Sequence, residues 1–111
     1  MELQQFTQGA LTVIKPAGAL VEADCDQFRT MAMDLARKTR GRLVVDASAI
    51  AYLDSRGIES LVDVTEHMLD GGRALKLCGA NATVRQVLDI TGWANSFEYF
   101  DDLNAAARSF L

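Results

Sequence analysis

The chain has 111 residues, half of them apolar, and a formal net charge of −4 at neutral pH. This length fits one domain, residues 1–111, and leaves no room for a second core. The eleven lysines and arginines are scattered along the sequence, which argues against direct binding of nucleic acid. No apolar run approaches the roughly 20 residues that cross a bilayer, and the first residues lack a signal-peptide pattern. We therefore expect a cytoplasmic protein without membrane insertion.

The cysteines and the single histidine give no sign of a metal site. Cys25 and Cys78 are far apart in sequence, and only His67 could join them as a ligand. Free cysteines of this kind are usually buried and reduced. We expect neither a metal nor a cofactor, and the absence of a carboxylate pair or a glycine-rich phosphate loop argues against an enzyme.

The first half of the chain predicts two strands, a helix and a third strand. Strands at 3–8 and 11–19 form an antiparallel pair about Gly9 and Ala10. The helix ends before Gly41 and carries an apolar face. That face consists of Cys25, Phe28, Met31, Ala32, Leu35 and Ala36. Residues 43–45 are apolar throughout, as in a strand buried in a parallel sheet.

A long loop, 48–57, and a second amphipathic helix, 57–70, come next. Ile50, Tyr52 and Leu53 are interpreted as core anchors of the loop, because large apolar side chains are usually buried. The helix carries apolar residues at a helical spacing and ends at a glycine pair, 71–72. Its apolar face consists of Ile58, Leu61, Val62, Thr65, Met68 and Leu69.

The last third predicts a strand at 74–78 and two helices. Asn81 would cap the first helix, which ends at Gly92, and Asp101 or Asp102 would cap the second, through 105–110. The element order predicts an α/β fold with a mixed, mostly parallel sheet of about four to five strands and about four helices. The loops at 20–22, 48–57 and 79–82 should open at one edge of the sheet, where such folds usually carry their function.

Ser55 lies between the long loop and the second helix, at or beside its N-cap. Backbone N–H groups in a first helical turn lack partners and attract a phosphate, so Ser55 is a candidate phosphoacceptor. Serine is also a favoured N-cap, so capping alone could explain it. A capping box would need Glu or Gln three residues later, where Ile58 stands.

Several segments in this register resemble the STAS domains, named for sulphate transporters and anti-sigma factor antagonists. The similarity covers nearly the whole chain. Its segments are 18–20 (Gly-Ala-Leu), 43–48 (Leu-Val-Val-Asp-Ala-Ser), 53–58 (Leu-Asp-Ser-Arg-Gly-Ile), 71–72 before 75–77, 84–88, and Thr91-Gly92-Trp93 with Phe97 and Phe100 beyond.

The resemblance implies a partner-switching cycle. In stand-alone bacterial members, the unphosphorylated protein binds an anti-sigma factor that is also a GHKL-type serine kinase, and thereby frees a sigma factor. The kinase phosphorylates the motif serine, here Ser55, and a PP2C-type phosphatase restores binding. The implied partner-binding residues are Val21, Glu22, Asp54, Ser55, Arg56, Gly57, Ile58 and Asn81. The chain would be a substrate and switch, with ATP bound by the kinase.

Two positions differ from the family pattern. The family often has an acidic residue directly after Gly-x-Leu, where this chain has Val21 and only then Glu22. A small hydroxyl residue usually precedes the motif glycine, where this chain has Arg56. Arg56 could meet an acidic partner, lie across the phosphate or simply be solvated. It leaves Ser55 as the only acceptor in the motif.

Two other interpretations, a subunit of another assembly and a small hydrolase, stay open at this point, and a third, a receiver, fails. STAS domains also serve as subunits of transport or stress-signalling assemblies that phosphorylation does not switch. Asp46, at the end of a strand, invites comparison with a receiver phosphoacceptor, although the acidic pair that would hold Mg²⁺ is incomplete. In a hydrolase using Ser55 and His67, the histidine, which lies opposite the apolar stripe of its helix, would face away from its target.

Overall fold

The structure, a computed structural model that describes residues 1–111, contains six strands and four α-helices. In chain order the elements are β1 (Glu2–Gln8), β2 (Leu11–Leu20), α1 (Asp24–Lys38), β3 (Leu43–Asp46), β4 (Ile50–Leu53), α2 (Ser55–Leu69), β5 (Leu75–Cys78), α3 (Ala82–Ile90), a 3₁₀ turn (Ala94–Ser96), β6 (Phe97–Phe100) and α4 (Leu103–Arg108).

The strands form one mixed sheet in the order β1-β2-β3-β5-β6. Only β1 is antiparallel to its neighbour, β2, and all other pairs are parallel. The first half of β2 pairs with β3, and its last residues pair with β4 across a shift in register. The predicted α/β class, the mostly parallel sheet and the four helices are therefore confirmed.

The sheet has more strands than the sequence pattern predicts, because β4 and β6 were missed, whereas β3 and β5, which are also four residues long, were predicted. β4 falls within the predicted loop 48–57. Its end residues, Ile50 and Leu53, are buried as predicted, but Tyr52 is 54% exposed, so its interpretation as a core anchor was wrong. β4 has its two exposed residues side by side between two buried ones, so it lacks the alternation that reveals a strand.

The larger of two cores lies between the sheet and α1, α2 and α3, and a smaller one lies beneath α4. The predicted face of α1 is buried except for Met31, which is half-buried. On α2 the predicted face is buried except for Ile58, which is half-buried, and Leu69, which is 46% exposed. No helix combines the length and the apolar character needed to cross a bilayer.

Both cysteines are buried and unpaired, as predicted. Burial is the main cause that raises the pKa of Cys78 to about 12 and that also raises the pKa of Cys25. Because the thiolate is the reactive form, these thiols are chemically quiet at neutral pH.

Thr65 joins the middle of α2 to two other segments through its buried hydroxyl. The hydroxyl donates to the carbonyl of Ser96 (2.6 Å) and accepts from the N–H of Leu75 (3.0 Å). Thr65→Val should lower the free energy of unfolding by about 1–2 kcal/mol, because it leaves both backbone groups without this partner. Urea denaturation checks this, with Thr65→Ser as the control that keeps the hydroxyl. Equal stability of the Val variant and the wild type would contradict it.

Candidate functional site

Asp54 organises the start of α2. Its Oδ1 accepts the Gly57 N–H at 2.8 Å, and its Oδ2 accepts the Glu22 N–H at 3.0 Å. The first bond caps α2, and the second ties the loop after β2 to the helix. Glu22 has a left-handed backbone (φ 51°), which is uncommon for a residue other than glycine, and the bond to Asp54 holds it there.

Ser55 is the first residue of α2 and is exposed. The helix therefore begins two residues earlier than the predicted start at Gly57. The cap is Asp54, so Ser55 lies beside the N-cap, and the alternative that capping alone explains Ser55 was wrong. Because the Asp54 carboxylate caps the helix, the Ser55 hydroxyl is not needed as a cap. Ser55 is exposed to solvent at this end of the sheet.

Hydrogen bonding from the Gly57 N–H, and secondarily from Glu22, lowers the pKa of Asp54 below its usual value near 3.8. A carboxylate whose pKa is lowered by folding stabilises the folded state at pH values above its usual pKa of 3.8. This stabilisation is lost as the pH falls through the lowered pKa of the folded state. Asp54→Ala should therefore lower the melting temperature at pH 7, and the difference from wild type should shrink as the pH falls below 3.8.

Asp102→Ala is the matched control for this prediction. Asp102 caps α4 in the same way, through the Ala105 N–H at 2.8 Å. It caps only that short helix, whereas Asp54 also bonds Glu22, so melting curves should show a smaller loss for the control. A loss in the Asp54 variant no larger than in the control would contradict the bridging role.

Gly57 lies where the first turn of α2 meets the end of β2. A Cβ at this position would overlap with the backbone carbonyl oxygen of Leu20. The same oxygen lies 3.4 Å from the N–H of Asp54, which donates to it. The glycine of the motif is thus required by a close approach of two backbones, and that approach sets the position of Asp54 and Ser55.

Arg56 is held by an ion-pair chain between α1 and α2. Its guanidinium lies 3.1 Å from a carboxylate oxygen of Asp26, whose other oxygen lies 3.1 Å from Arg29. Arg29 in turn lies 3.4 Å from Asp63. All four side chains are 40–55% exposed, so each pair contributes little to stability. The sequence suggested that Arg56 meets an acidic partner, lies across the phosphate or is solvated. An ion pair within the chain was not among these roles.

The sequence pattern missed Asp26, Arg29 and Asp63 as neighbours of the motif. Asp26 and Arg29 stand one turn apart on the polar face of α1, and Asp63 lies two turns into α2. Charged residues on a solvated helix face carry no local signal of what they meet. Only the packing of α1 against α2 brings them together.

The remaining predicted partner-binding residues lie around this centre at different depths. Val21 and Ile58 are half-buried, and Ile58 packs against the main core. Asn81 caps α3 through the Val84 N–H (2.8 Å), and its amide donates to the carbonyl of Ile50 (3.0 Å). It therefore contacts the start of β4, whereas Ser55 follows the end of β4, about 10 Å away along the strand.

His67, the residue of the hydrolase interpretation, lies far from Ser55, and Asp46, the residue of the receiver interpretation, is engaged in other contacts. His67 is exposed and stands twelve residues beyond Ser55 on α2, about 18 Å along the helix axis. A Ser55–His67 dyad is therefore impossible within one chain. The Asp46 carboxylate accepts the Ser48 N–H at 3.0 Å, and the Lys15 ammonium lies 4.0 Å from it.

Comparison with known proteins identifies the family. BtrV of Bordetella bronchiseptica, provisionally assigned as an anti-sigma factor antagonist, is 26% identical over 93 residues, which are 84% of this chain and 80% of BtrV. TM1081 of Thermotoga maritima, with the same provisional assignment, superposes with a TM-score of 0.86 at 17% identity over 96% of this chain and 92% of its own.

The anti-sigma factor antagonist SpoIIAA of Bacillus, in its unphosphorylated form, superposes with a TM-score of 0.77 at 17% identity. The match covers 98% of this chain and 96% of SpoIIAA. At 17% identity, the superpositions of TM1081 and SpoIIAA show that this chain shares their fold. The sequence model of the STAS domain matches residues 4–106, nearly the whole chain, and the chain therefore belongs to the STAS domain family.

Proposed function

We propose that this protein is an anti-sigma factor antagonist whose partner binding is switched by phosphorylation of Ser55. In its unphosphorylated form it binds an anti-sigma factor serine kinase of the GHKL type and frees a sigma factor. The kinase, with its own ATP, phosphorylates Ser55, and a PP2C-type phosphatase reverses the change. The observation that carries this proposal is the exposed Ser55 hydroxyl at the first position of α2, beside a separate capping carboxylate.

The proposed partner surface is the exposed edge around the start of α2. Glu22, Ser55 and Arg56 are exposed on it, and Val21 and Ile58 offer half-buried apolar area. Asp54 and the buried Gly57 act by holding the surface in shape. Asn81 borders the surface through its contact with β4.

The electrostatics of this edge favour a block by charge. A phosphoserine carries about 1.5 to 2 negative charges. Asp54 already accepts the Gly57 N–H of the first turn, so a phosphate on Ser55 would compete with a carboxylate for the remaining donors. Glu22 adds further negative charge nearby, whereas Asp26 is paired with both Arg56 and Arg29. A partner surface that packs against this edge would meet this added negative charge, and the unfavourable electrostatic energy would weaken binding.

The experiment begins with protein purified from its own host. Intact mass and peptide mapping establish whether Ser55 carries a phosphate. Wild type, Ser55→Ala and Ser55→Asp are then used as bait in parallel pull-downs. We expect wild type and Ser55→Ala to capture a GHKL-type kinase and Ser55→Asp to lose it.

Two results would overturn the proposal. The first is a Ser55 that is never phosphorylated while the kinase is present and active in the host. The second is capture of transporter or stress-signalling subunits that is indifferent to Ser55→Asp, which would identify the chain as a subunit of such an assembly.

A further inference from the structure

Basic residues that are dispersed in the sequence gather at the end of the molecule opposite Ser55. Five of the eleven lysines and arginines line two adjoining cavities beside the last turns of α1 and α2. They are Arg37, Lys38, Arg40, Arg42 and Arg73. Ser55 begins the 15-residue α2, so about 20 Å of helix separates it from this end. These basic residues are therefore scattered in the sequence but clustered in the folded chain.

The two cavities have volumes of about 460 and 500 Å³ and share Arg40 and Arg73 in their walls. Asp70 is the only acidic residue among those that line them. Volumes in this range suit small-molecule ligands. The walls contain few apolar side chains, so they offer little to a hydrophobic partner.

Two of the five cations have a structural explanation. Arg37 and Lys38 lie in the last turn of α1, where the helix dipole favours positive charge. Asp34, one turn earlier, lies 3.6 Å from Arg37 and 2.9 Å from Lys38. These two cations are therefore largely accounted for within the protein.

The other three cations have no ion-pair partner, and Arg73 alone lies over an aromatic ring, that of Phe110, with its guanidinium carbon 5.9 Å from the ring centroid. Arg40, Arg42 and Arg73 lie outside the helices, are exposed and have no carboxylate within 4.0 Å. Arg42 and Arg73 precede β3 and β5, which are neighbouring strands. Concentrated like charge destabilises a compact protein, yet here it stands in a protein with a net charge of −4.

The backbone holds these arginines in place. Arg40 adopts a left-handed conformation (φ 55°), and Gly41 follows with φ 85°. A Cβ on Gly41 would lie 3.3 Å from the Cδ of Arg73, so the stem of Arg73 packs against this turn. Arg40 and the stem of Arg73 thus lie at the same turn.

We propose that this basic pair of cavities binds an oligophosphate anion through Arg40, Arg42 and Arg73. The planar guanidinium group matches phosphate oxygens in a bidentate manner, and three of them facing one space suit a ligand with several phosphoryl groups. Free oligophosphate and the phosphate chain of a nucleotide share this chemistry. The site is independent of the proposed phosphoswitch, because it lies at the other end of α2.

Isothermal titration with sodium tripolyphosphate at 150 mM NaCl tests the proposal, alongside NMR chemical shifts. We expect saturable binding of one anion, with shifts concentrated at 39–42 and 73. Arg42→Ala and Arg73→Ala should each weaken binding about tenfold or more, and the corresponding lysine variants should recover only part of it. Arg85→Ala, which removes an exposed arginine on α3, is the matched control and should bind normally.

A parallel titration with ATP identifies the source of the phosphate chain. Equal affinity indicates recognition of the chain alone, and tighter binding with added shifts at His67, in the wall of one cavity, indicates a nucleotide. Ser55→Asp should bind tripolyphosphate as wild type does, which separates this site from the proposed switch. Absence of binding, an equal loss in Arg85→Ala, or binding of nucleic acid without binding of tripolyphosphate would overturn the proposal.

Discussion

Replacement of Ser55 by aspartate is expected to weaken binding of the proposed kinase partner at least about a hundredfold and to leave the fold intact. The new carboxylate would stand beside Asp54 on the exposed edge, and like charge at an interface costs several kcal/mol. Each 1.4 kcal/mol is about tenfold in affinity. Titration of the purified partner measures the loss, and circular dichroism and thermal melting check the fold.

Asn104→Asp is the matched control for this variant. Asn104 is exposed in the first turn of α4, which is also capped by an aspartate, so the change adds one carboxylate in a similar helical setting. Partner binding should be unchanged in the control. Loss of the circular dichroism signal in Ser55→Asp, or equal weakening by both variants, would contradict an electrostatic block at Ser55.

Gly57→Ala is expected to lower the free energy of unfolding by up to about 3 kcal/mol, in the upper range for an overpacked site. The new Cβ cannot coexist with the Leu20 carbonyl oxygen, which is backbone and cannot rotate away. The start of α2 must therefore move from the end of β2, and the bond from Glu22 to Asp54 is strained with it. For a domain of this size the melting temperature should fall by roughly 5–15 °C.

Gly71→Ala serves as the control, since Gly71 follows the same helix. Its added Cβ would lie at an ordinary 3.4 Å from the Met68 carbonyl oxygen, and its backbone is not left-handed. That variant should be within about 1 kcal/mol of wild type. If Gly57→Ala melts no lower than Gly71→Ala, the close approach of α2 to β2 is not a constraint on the motif.

The sequence predicts the fold best where elements are long or marked by strong end signals. α1 and α2 carry regular apolar faces, and Asn81 as a cap of α3 is confirmed. β4 and β6 were not predicted, although the equally short β3 and β5 were, because β4 lacks an alternating pattern of burial and only the first residue of β6 is buried. The start of α2 was placed two residues late because the apolar spacing begins only at Ile58, whereas the cap that sets the start is Asp54, which accepts the Gly57 N–H.

The candidate site follows the same division. That Ser55 lies on a loop edge at the start of a helix could be predicted from local pattern and from the order of elements. The reason for Gly57 could not, because it depends on an oxygen 37 positions earlier in the chain. The same holds for the pairing of Arg56 with Asp26 and for the convergence of Arg42 and Arg73, which arise from packing between elements.

The side chains of Asp54 and Asn81 each tie one loop to another element at the edge that carries Ser55. Asp54 fastens the turn at Glu22 to α2, and Asn81 fastens the start of α3 to β4. A partner docking here would meet a surface that has already lost its conformational freedom, so association should carry only a small entropic penalty from ordering. The heat-capacity change of binding should then reflect the apolar area covered and little coupled folding.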